Sequence, residues 1–166
     1  MTRVAAIDCG TNSIRLLVAD GRIGEDGRPH LSDLTRQMRI VRLGQGVDAR
    51  GYLDPAAIER TVEATVEYQR MIEALGATST RFVATSATRD ASNSADFVRQ
   101  IKAIIGVEPE VVVGTEEASL SFNGAVSGLG ESVTAPMLVV DIGGGSTELV
   151  LGSTRVEQAI SIDMGA

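Results

Sequence analysis

The fold is decided by two stretches of the 166-residue chain. The first is Ala5-Ala6-Ile7-Asp8-Cys9-Gly10-Thr11-Asn12-Ser13-Ile14-Arg15-Leu16-Leu17-Val18. The second is Val140-Asp141-Ile142-Gly143-Gly144-Gly145-Ser146-Thr147-Glu148-Leu149, with Asp141 lying 133 positions after Asp8. At that offset Asp8 falls on Asp141, Gly10 on Gly143, Ser13 on Ser146 and Leu16 on Leu149. Each stretch reads as an apolar strand, an acid at the strand's end, a glycine turn, a hydroxyl and a second strand. Glycine lets backbone come close to a ligand, and turn amides with hydroxyls suit phosphate oxygens. A carboxylate at the same place does not attract phosphate directly, so it implies a divalent cation between them. Two such turns facing each other would clamp a phosphate chain; the plainer alternative is that each is only a hairpin turn.

Outward from the first stretch, residues 4–8 and Ile14 to Asp20 read as strands. Leu31 to Leu43 reads as a third, ending at Gly44-Gln45-Gly46. Asp54-Pro55 starts a helix as N-cap acid and first-turn proline, and Gly76 stops it. Ile58, Val62, Val66, Met71, Ile72 and Leu75 form its apolar stripe. Arg81 to Ala84 reads as a strand and Thr85 to Asn93 as a polar loop. Phe97 to Ile105 is a second helix stopped by Gly106, and Val111-Val112-Val113 a buried strand. Thr115 caps a third helix with Ala118, Phe122, Ala125, Val126 and Leu129 as its stripe. The order β-β-β-α-β-α-β-α predicts an α/β sheet with helices on its faces. It is expected to fill a first domain over 1–130. Strands over 137–141, 146–151 and 156–162 open a second, incomplete domain over 136–166. No helix follows to cover them, so more chain or a homodimer partner is expected there.

Composition narrows the function classes. With 43% apolar and 22% charged residues the chain is globular. Its net charge of −7 and 3% aromatic content argue against nucleic-acid binding and base stacking. Its 18 glycines exceed the roughly 12 an ordinary chain of this length carries. The single cysteine, Cys9, cannot form an internal disulfide and reads as a small core residue. No run approaches the ~20 apolar residues that span a bilayer. An acid at Asp8 comes too early for a signal peptide, so the chain is expected to be cytoplasmic. The lone His30 reads as solvated, so zinc and Ser-His chemistries lack their ligands. A Walker pattern is absent.

Several side chains stand out against plainer alternatives. Glu148 lies in an otherwise core-bound strand and needs a partner or metal, unless it faces outward. Asp141 ends a strand, as a metal ligand or a turn cap. Glu116-Glu117 either complement a helix dipole or supply a general base for water. Arg89 either grips phosphate bidentately or pairs with Asp90.

Four ordered blocks resemble the exopolyphosphatase / guanosine pentaphosphate phosphohydrolase family. They are the opening stretch, Thr85-Ser86-Ala87-Thr88-Arg89-Asp90-Ala91 with Asn93, Gly114-Thr115-Glu116-Glu117-Ala118, and the second stretch. The resemblance implies an actin-like (ribonuclease H-like) fold of two related domains. It implies hydrolysis of terminal phosphoanhydrides of polyphosphate, or of guanosine pentaphosphate, with Mg2+. By position, Glu117 resembles the catalytic glutamate, and Asp141 and Glu148 the metal-associated acids, with Asp8 a further metal candidate. Gly10, Thr11, Asn12, Ser13, Gly143, Gly144, Gly145, Ser146 and Thr147 resemble the phosphate grip. Arg89 resembles a further part of that grip and a stabiliser of the transition state. Cys9 stands where leucine is usual. Members run to about twice this length, which implies an N-terminal portion that could be inactive alone. Actin-like kinase activity and non-enzymatic polyphosphate sensing are the rival readings.

Overall fold

A computed structural model describes residues 1–25, 27, 29–127, 129 and 134–166. In chain order the strands and helices are β1 (Thr2–Cys9), β2 (Ser13–Ile23), β3 (Pro29–Ile40), α1 (Val47–Arg50), α2 (Pro55–Leu75), β4 (Ser79–Ala84), α3 (Ser86–Arg89), α4 (Ser94–Ile105), β5 (Glu110–Val111), α5 (Gly114–Ser127), β6 (Met137–Ile142), β7 (Thr147–Gly152) and β8 (Val156–Ile162). They divide into two units, Met1–Val111 and Val112–Ala166. Among the described residues no helix is long and apolar enough to cross a membrane.

In the first unit the sheet order is β3-β2-β1-β4-β5. β1, β2 and β3 are antiparallel neighbours, and β4 runs parallel to β1 and to β5. Period-two alternation puts Ala5, Ile7 and Cys9 on one face, opposite Val18, Leu16 and Ile14. All six are buried, packed with Tyr68 and Ile72 of α2 and Phe97 and Ile101 of α4.

The ends of α2 follow local chemistry. The Asp54 side chain accepts from the Ala56 amide at 2.9 Å, Pro55 sits in the first turn, and Gly76 closes the helix at φ 70°. Its buried face differs from the expected stripe, running through Ala57, Ile58, Thr61, Ala64, Thr65, Tyr68 and Ile72. The polar members fit because each hydroxyl is satisfied. Thr61 donates to Ala57 O at 2.8 Å, Thr65 to Thr61 O at 2.7 Å, and Tyr68 to Ile14 O at 3.1 Å.

Four local expectations change. The third strand ends at Ile40, and the short α1 follows it. The stretch read as the loop Thr85 to Asn93 contains α3. The strand expected at Val111 to Val113 is Glu110–Val111; Val112 is buried, but Val113 is 57% exposed. α5 begins at Gly114, so Thr115 lies within the helix and does not cap it.

In the second unit β6, β7 and β8 form an antiparallel meander. α5 lies on one face, with Ala118 and Phe122 packed on Val150 and flanked by Val126, Val139 and Val156. α5 thus shares a core with the second sheet, whereas the sequence reading drew the domain boundary after it, at 130–136. The helix stripe is also shorter than expected, for Leu129 is 46% exposed. The sheet's other face exposes Leu138, Val140, Ile142, Ile160 and Ile162.

The repeat is present in backbone detail. In the first unit Gly10 N donates to Ser13 O at 3.0 Å; in the second Gly143 N donates to Ser146 O at 2.9 Å. Asp8 pairs with Arg15 across one hairpin, and Asp141 with Glu148 across the other, the same register at the same offset.

Cys9 is 1% exposed in the core, and burial, with the Asp8 charge beside it, pushes its thiol well above the ordinary range. An aromatic disulfide reagent should therefore leave the native chain unmodified and react at once in urea. Prompt reaction under native conditions would contradict this packing.

Candidate active site

In the first unit Cys9 and Ala84 end parallel strands at the same level. The turn Gly10–Asn12 and the segment from Thr85 therefore leave the sheet at one edge, where open α/β sheets bind ligands. Thr85 N donates to Cys9 O at 3.2 Å, and the hydroxyls of Thr11 and Ser86 share a hydrogen bond of 2.9 Å. Two blocks far apart in sequence are thus brought together. A third segment joins them. Asn12 O accepts from Val41 N at 3.0 Å and Arg42 N at 2.9 Å, and Thr11 O accepts from Gly44 N at 2.9 Å. A Cβ at Gly44 would lie 2.4 Å from Thr11 Cγ2 and 3.1 Å from Ala87 Cβ. Only glycine lets this segment seat against the turn. Arg89 ends α3 and contacts Asp90 Oδ1 at 3.3 Å, the pairing weighed as the plainer alternative. Asp8 lies on the sheet face away from Cys9 and is exposed.

In the second unit the acids form a row across the sheet. Asp141 on β6 stands opposite Glu148 on β7, which stands opposite Ser161 on β8. Directly opposed residues share a face, and here it is the face that α5 covers. Glu148 is 1% exposed and its Oε1 accepts from Ser161 Oγ at 2.7 Å. It is therefore not the outward-facing acid of the plainer alternative. Asp141 Oδ2 accepts from Ser121 Oγ of α5 at 2.6 Å. In the first turn of α5 Glu116 is exposed, whereas Glu117 is half-buried with its Oε2 shielded from solvent. Glu117 lies one helical turn from both Gly114 and Ser121 and so shares their side of α5.

Beside this row is the turn Gly143–Ser146. Its first amide is spent on Ser146 O, and the amides of Gly144 and Gly145 donate to no backbone carbonyl among the described residues. Ser146 is buried at 1% exposure. Thr147, expected to grip phosphate, donates its hydroxyl to Met164 O at 2.7 Å. Residues 164–166 pack directly on the turn, a Cβ at Gly165 lying 2.5 Å from Gly145 N. Ala166 N donates to Gly143 O at 3.0 Å, and a Cβ at Gly165 would lie 2.2 Å from the Gly144 carbonyl carbon.

Among the described residues no three His, Cys, Asp or Glu side chains gather as a metal-binding group. The pair Asp141 and Glu148 nevertheless fits Mg2+, which takes one or two carboxylates and completes its shell with water and substrate phosphate. Each carboxylate commits one oxygen to a serine, and the all-oxygen donor set suits no softer metal.

Residues 22–166 match the Ppx/GppA phosphatase family. The chain belongs to that family. It is 51% identical over 170 residues to Exopolyphosphatase 2 of Mycobacterium tuberculosis, covering 99% of this chain and 53% of that protein. It is 33% identical over 165 residues to a bifunctional 3-dehydroquinate synthase/phosphatase of Fusobacterium nucleatum, covering 98% of this chain and 25% of that one. Among solved structures it resembles an exopolyphosphatase-like protein, with TM-score 0.91 at 46% identity over 99% of this chain and 51% of that one. It also resembles the Aquifex aeolicus Ppx/GppA family member, with TM-score 0.81 at 34% identity over 99% and 52%. The chain thus spans about half the length of the exopolyphosphatase it matches. A likeness to the ethanolamine utilization protein EutJ of Carboxydothermus hydrogenoformans, at TM-score 0.53 and 18% identity, concerns the fold alone. The fold is the actin-like one that the sequence resemblance implied.

The packing of residue 165 on the turn is testable. In Gly165→Ala the new Cβ meets backbone that has no rotamer to yield. The change should displace residues 164–166 from the turn and move the amide resonances of Gly144 and Gly145. Unchanged resonances would contradict the packing.

Proposed function

We propose that this chain carries the hydrolytic site of an exopolyphosphatase, a cytoplasmic enzyme releasing terminal phosphate from inorganic polyphosphate. One observation carries the reading. Asp141 and Glu148 stand side by side across β6 and β7, next to a glycine turn whose Gly144 and Gly145 amides donate to no backbone carbonyl among the described residues. Carboxylates and phosphate-binding amides therefore share one sheet edge. The choice of polyphosphate rests on the 51% identity to Exopolyphosphatase 2 of Mycobacterium tuberculosis.

The residues divide the work as follows. The amides of Gly144 and Gly145 bind the terminal phosphoryl oxygens and stabilise charge that develops there. In the first unit, the turn after β1 and Arg89 are assigned to phosphate oxygens of the same substrate class. Glu117 orients a water molecule and takes its proton as the water oxygen bonds to the terminal phosphorus. The bond from that phosphorus to the bridging oxygen breaks, giving orthophosphate and a chain one unit shorter. Asp141 and Glu148 would hold Mg2+, which when bound offsets the negative charge of the phosphate oxygens.

Phosphate release with Mg2+ tests this, with long-chain polyphosphate, guanosine pentaphosphate and ATP offered in parallel. Release is expected from polyphosphate first. Glu117→Gln should lower it by roughly 10²–10⁴-fold, the usual worth of a general base, while polyphosphate binding persists. Faster release from guanosine pentaphosphate, or unchanged turnover in Glu117→Gln, would contradict the assignment.

A further inference from the structure

The side chain of Glu148 is met by the neighbouring strand. Ser161 lies directly across from it on β8 and donates to Oε1 at 2.7 Å. A hydrogen bond to a carboxylate in a shielded place is among the stronger polar contacts in a protein. It also uses one oxygen only, leaving Oε2 for a cation or water. Ser161 itself is held from above. A Cβ at Gly114 would lie 2.6 Å from Ser161 Oγ and 2.7 Å from its Cβ, so the first residue of α5 rests on this serine. Gly114 opens α5, whose first turn also carries Glu117. One small hydroxyl residue thus touches both the acid in the sheet and the start of the helix that carries the proposed base.

We propose that Ser161 is a positioning residue: its hydroxyl locks the carboxylate of Glu148, and its bulk seats Gly114 so that Glu117 stands over the acidic row. The catalytic consequence rests on the hydrolase reading above; the locking of Glu148 does not. Ser121 donates to Asp141 from the helix side, at 2.6 Å.

The test uses the 166-residue chain as wild type, Ser161→Ala and Ser161→Thr, with two readouts. The first is the χ1 rotamer of Glu148 from three-bond NMR couplings, which needs neither metal nor substrate. Wild type and Ser161→Thr should each hold one rotamer, and Ser161→Ala should show averaging with an unfolding midpoint close to that of wild type. The second is phosphate release from polyphosphate. Here kcat should fall about tenfold or more in Ser161→Ala, the usual cost of losing a group that orients a ligating side chain, with KM little changed and Ser161→Thr close to wild type. A single Glu148 rotamer in Ser161→Ala would overturn the proposal whatever the kinetics. Averaging without loss of kcat would overturn its catalytic part. With a wild type inactive on every substrate, the couplings alone decide whether Ser161 locks Glu148.

Discussion

A hydrogen bond of 2.9 Å from Gly143 N to Ser146 O closes the turn between β6 and β7. The placement of the acids depends on it. A closed turn fixes the register of the hairpin, and register decides which side chains stand opposite each other. Here it sets Asp141 against Glu148 on the α5 face. A slip of one residue would turn Glu148 to the opposite face, among Leu138, Val140 and Ile142, and would part it from Ser161. Glycine at 143 serves the same end, since a Cβ there would lie 3.0 Å from Ser146 O. The first unit closes its own turn with the equivalent bond of 3.0 Å. It uses the edge differently, setting Arg15 where the second unit has Glu148. The two hairpins are one device with two chemical loads.

Burying an acid such as Glu148 is costly unless its oxygens find donors. The second unit meets that cost with hydroxyls and not with cations. Ser121 and Ser161 each donate one bond to a carboxylate. Serine leaves the negative charge in place, so the acids remain able to attract a cation. An arginine or lysine partner would neutralise them, as Arg3 does for Asp20 in the first unit. There the guanidinium holds the carboxyl below its usual range through two hydrogen bonds of 2.8 and 2.9 Å. The contrast is between an ion pair whose charges cancel and a row of acids whose hydrogen-bond partners are neutral.

Much of this was legible in the chain because it is local. Asp54-Pro55 and Gly76 mark the ends of α2 by capping chemistry that involves only neighbours. The matched hairpins appear as an offset between two short stretches. Glu148 stood out as an acid in an apolar strand, and it is buried. The rest depends on partners distant in sequence. Thr61, Thr65 and Tyr68 look too polar for a core face until their hydroxyls are seen to bond Ala57 O, Thr61 O and Ile14 O. Gly44 and Gly165 are needed only because Thr11 and Gly144 come against them in space. Ser121 and Ser161 gain meaning from the register of β6, β7 and β8, although counting across the hairpins from Glu148 could have found Ser161. Chain order alone does not tell which sheet a helix will cover, and α5 shares its core with the second.

The central claim is that Asp141 and Glu148, held by their serines, form with the Gly143–Ser146 turn a site for a cation and a phosphate chain. Anomalous scattering from crystals grown with Mn2+ in place of Mg2+ and a short polyphosphate tests it most directly. The account predicts a manganese peak bonded to Asp141 or Glu148, with phosphate at the amides of Gly144 and Gly145. Manganese and phosphate bound elsewhere, with both carboxylates touching only their serines, would contradict it.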